Sequence, residues 1–287
     1  MATPSFASTP FAVQNHCRRF DGQVAIVTGA AQGLGRVIAH RLGAEGASVV
    51  VADIQGKRAE RTARQLTEEI GGQFIAFAGD LSELGVADRM VRETKDRFGR
   101  IDALVNNAAA LIRLKLVDMS EELLQKGVQW NVWNTLRCCK AVLPVMLDQK
   151  YGRIVNIGGE AWRTGLPFHT ILAGVGKGSM VGLTVTLAGE VLRDGITVNC
   201  VSPGGIETAA DGDPDPLPPS NFRDPSWNPP EVMQAMADAA KARTAAGAIG
   251  RLAHPSEIAS AVAFFASRES SFTTGQHIGV SGGMAMI

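Results

Sequence analysis

A glycine-rich turn lies between an apolar stretch and a helical pattern near the start of the chain, and this arrangement most restricts the fold. Residues 23–28 read QVAIVT, a short β-branched run that is typical of a buried strand. Glycines follow at positions 29, 33 and 35, before apolar residues at helical spacing. Because such a turn has few side chains, backbone N–H groups and the positive end of the helix can approach a pyrophosphate. The segment therefore predicts a strand, a phosphate-binding turn and a helix, as in a dinucleotide site.

The rest of the chain repeats the alternation of apolar runs and helical patterns. We predict further strands over 47–53, 74–80, 101–108, 153–159, 197–205 and 277–280, and helices over 57–70, 89–98, 120–147 and 177–191. This alternation predicts an α/β fold: a doubly wound parallel sheet (Rossmann fold) with helices on both faces. With 287 residues, 45% of them hydrophobic, the chain has enough material for one large core. We expect a flexible tail over 1–20 and a single domain over 21–287.

One stretch departs from the alternation. Residues 209–230 read AADGDPDPLPPSNFRDPSWNPP, and this density of proline, aspartate and asparagine disfavours regular structure. We interpret it as part of an insertion within the domain, over 209–248. A linker between two domains is the alternative, although the chain after Pro230 holds only about one helix pair and one strand.

The composition narrows the class of partner. Lysine plus arginine equal aspartate plus glutamate, at 28 each, so the chain lacks the positive field that gathers nucleic acid or anionic membrane. The four cysteines show no metal-ligand spacing, which favours reduced thiols and no metal. No signal peptide pattern occurs in the first twenty residues, and no apolar run approaches spanning length. We expect a cytoplasmic protein that binds a small molecule.

Asp53 indicates which dinucleotide is bound. It ends the second predicted strand, 24 residues after Gly29, near the offset at which an acid accepts hydrogen bonds from the ribose hydroxyls. A carboxylate there would repel a 2′-phosphate, so the prediction is NAD. Lys57 and Arg58 leave NADP open, although they fall where a solvated helix start is expected. A simple turn-forming aspartate is the other interpretation.

From about Gly22 to Gly283 the sequence resembles the short-chain dehydrogenase/reductase family. Beyond the TGxxxGxG turn at 28–35, the matching motifs are Asp80, NNAA at 106–109, Asn131, Lys177, PGGIET at 203–208 and SGG at 281–283. The resemblance implies a nicotinamide-dependent dehydrogenase or reductase in which Asp80 holds the adenine and Lys177 binds the nicotinamide ribose. It also places the insertion over the substrate as a lid. The cofactor residues it implies are Gly29, Gln32, Gly33, Leu34, Gly35, Asp53, Asp80, Leu81, Asn107, Ala108, Lys177, Pro203, Gly204, Ile206 and Thr208.

The sequence departs from the family at the position of its proton-transfer residue. The family has a tyrosine four residues before the lysine, and here that residue is Ala173. The chain's one tyrosine, Tyr151, lies 26 residues before Lys177 and cannot take that role. The family's helper serine is also missing, because NISS is replaced by NIGG at 156–159.

Several residues are candidates for the proton transfer that an alcohol–carbonyl reaction requires. His169 could face the nicotinamide from the loop before the lysine helix, or lie on the surface. Glu160 stands at or next to the lost serine, where burial could raise its pKa, although a solvent-facing glutamate is an equal alternative. Lys177, linked through water to Asn131 as the family implies, could act alone. Thr164 and Thr170 are weaker candidates.

We therefore predict an NAD(H)-dependent oxidoreductase acting on an alcohol or carbonyl, with an atypical proton-transfer group. Aromatic residues near the site, among them Trp162 and Trp227, favour an aromatic or alicyclic diol or ketone. Two alternatives stay open: a non-redox lyase or isomerase on the same fold, and a non-catalytic NAD(H)-binding scaffold. The family resemblance also implies a homo-oligomer, commonly a tetramer, that packs through the long helices around 120–147 and 171–192.

Overall fold

Seven parallel strands form the sheet around which the chain is organised. The structure is a computed structural model and describes residues 17–164, 171–207, 226–227, 229–232, 234–235, 238–239 and 249–285. The strands are β1 (Val24–Thr28), β2 (Ser48–Asp53), β3 (Phe74–Ala78), β4 (Ala103–Asn106), β5 (Gly152–Ile157), β6 (Ile196–Pro203) and β7 (His277–Val280). Their order is β3-β2-β1-β4-β5-β6-β7, and every neighbouring pair is parallel. The predicted fold class is confirmed.

The helices cover both faces of this sheet. They are α1 (Gly33–Ala44), α2 (Gly56–Ile70), α3 (Val86–Phe98), α4 (Glu121–Val128), α5 (Asn134–Gln149), α6 (Ala161–Thr164), α7 (Ile171–Glu190) and α8 (Pro255–Ala266). All five residues of β1 are buried. Because side chains alternate along a strand, Val27 enters the core beneath α1, α2 and α8, whereas Ile26 enters the core beneath α3, α5 and α7. Burial on both faces explains why the strands read as unbroken apolar runs.

The helix predicted over 120–147 is interrupted. A π-helical turn at Gln129–Trp133 lies between α4 and α5. The predicted single helix therefore consists of three consecutive helical segments. Ser120 caps α4 by accepting a hydrogen bond from the backbone N–H of Leu123, at 3.2 Å. The other predicted elements are present with shifted ends. The largest shift is in α7, which already begins at Ile171 rather than Lys177.

Helix α7 is long and apolar enough to cross a membrane by length and composition alone. The expectation that no segment approaches this length is therefore wrong. Here, however, α7 packs on the sheet and joins its core through Leu187 and Ala188. A single apolar helix of this kind is weak evidence for a membrane protein, because core helices share these properties.

The ends of the predicted domain are described in part. Phe20, which falls in the predicted tail, is 1% exposed and belongs to the core beneath α1. Beside it, Arg19 forms an ion pair with Glu45 at 2.5 Å. Residues 1–16 and most of the predicted insertion over 209–248 lie outside the described residues, so the domain limits and the lid stay predictions.

Candidate active site

A cavity of about 280 Å³ opens at the carboxyl ends of the central strands. Ligands of doubly wound sheets bind at this edge, where the strand order reverses on either side of β1 and β4. The described residues that line it are Leu34, Asn107, Leu111, Ile112, Arg113, Ile157, Gly158, Gly159, Glu160, Ala161, Ala173, Lys177, Pro203, Gly204 and Ile206. Seven of the residues predicted from the sequence for the site thus share one cavity wall: Leu34, Asn107, Glu160, Lys177, Pro203, Gly204 and Ile206.

The glycine turn connects β1 to α1 in a conformation that larger residues would not fit. Gly29 has a φ of +62°, and a Cβ atom there would lie 2.9 Å from Cα of Ala108. A Cβ atom on Gly35 would lie 2.2 Å from the carbonyl oxygen of Gly29. Gln32 precedes α1 without a side-chain cap, which leaves the first N–H groups of the helix for a ligand. With Gly33 as the first helical residue, this is the geometry of an anion site.

Asp53 lies at the end of β2 next to this turn, and its carboxylate is held by the backbone. Its two oxygens accept hydrogen bonds from the N–H groups of Ala31, at 3.1 Å, and Gln55, at 3.0 Å. Burial raises the pKa of Asp53, and these donors oppose the increase. The carboxylate is thus oriented at the sheet edge where a ribose is expected.

Arg58 differs from the sequence expectation. Lys57 is exposed, as predicted for a helix start, but Arg58 is buried and its guanidinium donates a hydrogen bond to the side-chain oxygen of Gln32. Its positive charge also opposes the increase in the pKa of Asp53 that burial causes. A cation therefore lies beside the acid that is predicted to select NAD.

Asp80 and Leu81 follow β3. The Asp80 carboxylate accepts a hydrogen bond from the N–H of Ser82, at 2.8 Å, which fixes its direction. The Leu81 side chain is buried in the core beneath α3, so only its backbone is available to a ligand. Both positions are compatible with the predicted adenine contact, which stays a prediction.

The hydroxyl of Thr28 joins the phosphate turn to the segment after β4. It accepts hydrogen bonds from the N–H groups of Asn107 and Ala108, each at 3.0 Å, and donates one to the carbonyl of Val105. In return, the Asn107 amide donates to the carbonyls of Thr28, at 2.9 Å, and Gly29, at 3.1 Å. The sequence analysis gave Thr28 no role of its own, although its place at a strand end just before the glycines was a signal.

Asn131 lies in the π-helical turn, and its amide is engaged on both sides. The nitrogen donates to the carbonyl of Gly127, at 2.8 Å, and the oxygen accepts from the N–H of Ala110, at 3.3 Å. A Cβ atom on Gly176 would lie 2.7 Å from the Cβ of Asn131, so α7 packs directly on this turn. Asn131 therefore supports the wall of the cavity next to Lys177.

Lys177 points from α7 toward the end of β5. Its ammonium nitrogen donates a hydrogen bond to the carbonyl oxygen of Ile157, at 3.0 Å. Desolvation of this half-buried side chain lowers the pKa of Lys177 to about 8, against a smaller opposite effect of Cys200. Lys177 can therefore exchange a proton near neutral pH.

Two small residues occupy the positions for which the family resemblance implies polar side chains. Ala173 lies one helical turn before Lys177, is 8% exposed and lines the cavity. A Cβ atom on Gly159 would lie 3.3 Å from Cγ of Lys177, so this position faces the lysine stem. At Gly158 a Cβ atom would lie 2.3 Å from Oγ of Ser202, which leaves no room for a serine. Of the two glycines that replace the serines of NISS, only Gly159 therefore faces Lys177.

Glu160 is buried, with 3% exposure, so the alternative of a solvent-facing glutamate is wrong. One carboxylate oxygen pairs with Arg163, and the other is buried with no hydrogen-bond partner among the described residues. That second oxygen lies 2.8 Å from the position that a Cβ atom on Gly279 would take. The carboxylate is therefore directed toward β7 and is engaged in an ion pair.

The remaining predicted residues divide into two groups. Gly204 donates a backbone hydrogen bond to Val280, at 3.1 Å, and Ile206 forms a β-bridge with Ala253, which positions this wall of the cavity beside Pro203. His169, Thr170 and Thr208 lie outside the described residues.

Two aromatic residues that the sequence analysis placed near the substrate contact other rings. Trp162 is 40% exposed and stacks edge-on against His277. Trp227 packs against Trp130, with ring centroids 5.4 Å apart, and contacts the cluster that contains Ile112. Trp227, which falls in the predicted insertion, therefore packs against the same apolar cluster as Ile112, a residue that lines the cavity.

A contact between β6 and β7 was missed by the sequence analysis. Nε2 of His277 lies 2.6 Å from Oγ of Ser202, which also accepts a hydrogen bond from the N–H of Gly159, at 3.0 Å. Burial lowers the pKa of His277, and the charge of Arg163 adds to this effect. No sequence signal connects residues 75 positions apart, so only the strand register reveals this contact.

Comparisons with known proteins agree with this geometry. Residues 23–215 match the family model described as short chain dehydrogenase, and residues 225–285 match one described as enoyl-(acyl carrier protein) reductase. The chain is 36% identical over 267 residues to a 2,3-dihydroxy-2,3-dihydro-p-cumate dehydrogenase of Pseudomonas putida, which covers 93% of this chain and 96% of that protein. It is also 36% identical over 274 residues to a 1,6-dihydroxycyclohexa-2,4-diene-1-carboxylate dehydrogenase of Acinetobacter baylyi, covering 94% of this chain and 98% of the relative.

A solved structure shares the whole fold. It is a 3-oxoacyl-[acyl-carrier protein] reductase with bound NAD from Brucella melitensis, with a TM-score of 0.79 and 27% sequence identity. The match covers 98% of this chain and 97% of the other.

Proposed function

The chain belongs to the short-chain dehydrogenase/reductase family and is an NAD(P)-dependent oxidoreductase, and we propose that it uses NAD(H) and that Lys177 itself moves the proton. The observation that carries this proposal is the position of Lys177. Its amine lies in the wall of the cavity, one turn from Ala173, with a pKa of about 8. No phenol stands at position 173 to take the proton instead.

The glycine turn and Asp53 fit a dinucleotide. The uncapped start of α1 and the close approach at Gly35 leave a cradle of N–H groups for the pyrophosphate. The carboxylate of Asp53, oriented by two backbone donors, would accept hydrogen bonds from the ribose and repel a 2′-phosphate. These features support NAD(H) over NADP(H), whereas the cation of Arg58 moderates the preference.

When bound, the dinucleotide accepts the hydride in alcohol oxidation and supplies it in carbonyl reduction. The neutral amine of Lys177 would take the hydroxyl proton of the alcohol, and in reduction its ammonium form would give a proton to the carbonyl oxygen. The hydrogen bond to the carbonyl of Ile157 orients the amine at the end of β5. Glu160 is less suited to this role because Arg163 engages its carboxylate.

The cavity supports a substrate of ring type. Its lining is mainly aliphatic, with Leu111, Ile112 and Ile206 among the larger side chains. Its volume lies near the lower end of the range for small-molecule sites, on the order of 300 Å³. The Pseudomonas and Acinetobacter relatives are named for dihydroxylated ring compounds. We therefore propose an alicyclic or aromatic-derived alcohol, diol or ketone as substrate.

We also propose that the protein is a cytoplasmic homo-oligomer, a tetramer or dimer. Large apolar side chains are exposed on several helices in the described part of the chain, among them Leu136 on α5 and Ile171, Val175 and Val185 on α7. Exposed apolar patches of this kind favour an interface between protein surfaces.

The test is NADH formation with a panel of ring alcohols and diols, comparing the unchanged protein with Lys177→Met. Methionine keeps the length of the side chain but removes the amine. We expect turnover by the unchanged protein and a loss of about 100-fold or more in kcat for the variant. Lys95→Met, on the exposed side of α3, is the matched control and should leave kcat unchanged.

The other outcomes decide against the proposal in different ways. NADH binding without turnover of any compound would favour a non-catalytic scaffold. Product formation without a change in NADH absorbance would favour a non-redox enzyme. Full turnover by Lys177→Met would assign the proton transfer to another group, for which His169 is the next substitution.

A further inference from the structure

His277 and Ser202 connect β7 to the backbone on which Lys177 packs. Nε2 of His277 lies 2.6 Å from Oγ of Ser202, and the same oxygen accepts a hydrogen bond from the N–H of Gly159, at 3.0 Å. Ser202 is fully buried, and a Cβ atom on Gly158 would lie 2.3 Å from its Oγ. The hydroxyl of Ser202 is therefore packed directly against the chain that follows β5.

The backbone at Gly159 is in turn the surface along which the stem of Lys177 lies. A Cβ atom on Gly159 would lie 3.3 Å from Cγ, 3.6 Å from Cδ and 3.7 Å from Cε of Lys177, so three successive stem carbons run past this residue. Two residues earlier, the carbonyl of Ile157 accepts the hydrogen bond of the amine, at 3.0 Å. A shift of the chain over 157–159 would thus move both the stem contact and the acceptor.

The strand register brings these groups to one face of the sheet. Cys200 and Ser202 are two apart on β6, and they share the face whose earlier positions, Ile196 and Val198, belong to the core beneath α7. In the parallel pairing of β6 with β7, Cys200 stands opposite His277. The contact between the histidine and the serine therefore lies where this face reaches the carboxyl edge of the sheet.

We propose that His277 is a positioning residue for Lys177: through the hydroxyl of Ser202 and the backbone of Gly159, it holds the amine at the carbonyl of Ile157. This inference rests on the proposed function, in which that amine moves the proton. An imidazole nitrogen suits the role in either tautomer, because it can donate to the hydroxyl oxygen or accept the hydroxyl proton. In both cases the oxygen keeps a lone pair for the N–H of Gly159.

The groups that face His277 keep its ring neutral and in place. Trp162 contacts the ring edge-on, with ring centroids 5.7 Å apart. Burial lowers the pKa of His277, the charge of Arg163 adds to this effect, and the charge of Glu160 opposes it. The imidazole is therefore already neutral in the range in which Lys177, with a pKa of about 8, exchanges its proton.

Cys200, whose charge would act on Lys177, does not titrate in the same range. Burial raises the pKa of its thiol to about 11, against smaller effects of Ser202, Lys177 and the N–H of Gly158. The thiol is thus neutral where the lysine titrates. A change of protonation near pH 8 at this site would therefore belong to Lys177.

The experiment measures the titration of Lys177 directly, without relying on turnover. Trace acetic anhydride is added to the full-length protein at a series of pH values, and acetylation of each lysine is read by peptide mass spectrometry. Because only the neutral amine reacts, the labelling of Lys177 relative to the exposed Lys95 follows its titration. We expect a midpoint near 8 in the unchanged protein.

His277→Phe and His277→Gln form a matched pair of variants. Phenylalanine keeps a ring beside Trp162 but has no nitrogen for Ser202, whereas glutamine keeps a group that can hydrogen-bond the hydroxyl. We expect His277→Phe to raise the midpoint of Lys177 by about one unit, because a loosened stem lets water reach the amine and favours its charged form. His277→Gln should stay within about 0.3 units of the unchanged protein.

The pH profile of oxidation should follow the labelling. A midpoint that is higher by about one unit leaves about 10-fold less neutral amine at pH values below it, so kcat/KM for His277→Phe should decrease about 10-fold there and recover at higher pH. A purely structural loss would lower the rate at all pH values without moving the profile.

Ser202→Ala tests the intermediate step of the same network. It should raise the midpoint at least as much as His277→Phe, and the double variant should shift no further than Ser202→Ala alone, because the histidine acts through the serine. Ser270→Ala is the control: its hydroxyl is also buried and donates to the carbonyl of Phe265, at 2.9 Å, just after α8. It should leave the midpoint unchanged, and urea denaturation checks that each variant is folded.

Three results would contradict the inference or the function on which it rests, and they are distinguishable. If the midpoint lies near 8 and stays there in both His277→Phe and Ser202→Ala, the inference is wrong and the proposed role of Lys177 still stands. If the midpoint moves but the profile of oxidation does not, His277 positions Lys177 and another group moves the proton. A midpoint near the ordinary lysine value of about 10.4 in the unchanged protein would overturn both.

Discussion

The ammonium nitrogen of Lys177 lies 3.0 Å from the carbonyl oxygen of Ile157, at the carboxyl end of β5. This contact holds the lysine in a partly desolvated position, where its charged form is disfavoured. The pKa of about 8 follows from that desolvation.

The pH dependence of the reaction should report this pKa. The neutral amine accepts a proton during alcohol oxidation, and its fraction increases as the pH rises through about 8. We therefore expect kcat/KM for oxidation to increase with pH and to level off above about 8, while carbonyl reduction decreases over the same range. Initial rates at constant ionic strength measure both profiles. A flat oxidation profile across this range would exclude Lys177 as the base.

Thr28→Val should weaken both stability and cofactor binding. Valine keeps the shape of threonine but removes the oxygen that accepts the N–H groups of Asn107 and Ala108. An unsatisfied buried donor costs about 1–3 kcal/mol, so we expect the free energy of unfolding to decrease by about 2 kcal/mol or more. Urea denaturation and NADH titration are the measurements. Thr28→Ser keeps the hydroxyl and should stay within about 1 kcal/mol of the unchanged protein; equal losses in both variants would disprove the role of the hydroxyl.

Asp53→Asn should change the preference between the two dinucleotides. Removal of the negative charge ends the repulsion of a 2′-phosphate, and Arg58 nearby then provides a favourable cation. We expect the ratio of kcat/KM for NADP⁺ to that for NAD⁺ to increase at least about 10-fold, a change of roughly 1.4 kcal/mol. The variant should also lose stability, because an amide cannot accept from both Ala31 and Gln55 as the carboxylate does. Asp88→Asn, on the exposed side of α3, is the control, and an unchanged ratio in Asp53→Asn would contradict the assignment.

Glu160 should matter for stability rather than for proton transfer. Its carboxylate is buried and pairs with Arg163, whose side chain is 16% exposed. Loss of one partner from such a pair costs up to about 3–5 kcal/mol when both groups are fully buried, so we expect Glu160→Ala to lose about 2–3 kcal/mol. Glu160→Gln should keep kcat within about fivefold, because glutamine can still bond to Arg163 but cannot exchange a proton. A decrease of 100-fold or more in kcat for Glu160→Gln would return the proton-transfer role to Glu160.

The fold was predictable because its signals are local. A buried parallel strand such as β1 consists of consecutive apolar residues. The glycines that follow it are required by a positive φ at Gly29 and by the close approach of the backbone at Gly35. The cavity residues of the second half, such as Pro203 and Ile206, were found through family motifs and not from physical patterns alone.

The remaining details depend on contacts between distant residues. Arg58 lies at a helix start, where a solvated side chain is expected. Its side chain is buried instead and donates a hydrogen bond to the side-chain oxygen of Gln32. The contact between Ser202 and His277 exists because β6 and β7 pair in one particular register. Charge pattern and hydrophobic period contain no information on either contact, since both depend on which side chain happens to lie opposite.

The π-helical turn at Gln129–Trp133 makes the site sensitive to the number of residues in this helical segment. Deletion of a single codon there would restore regular α-helical bonding and rotate the preceding residues by about 100° relative to α5. Asn131 would then no longer meet both Gly127 and Ala110, and the packing of the turn on Gly176 would be lost. The position of the Asn131 amide near Lys177 thus depends on the number of residues in the turn. A one-residue deletion there would therefore be more damaging to this site than most amino-acid exchanges in the same helix.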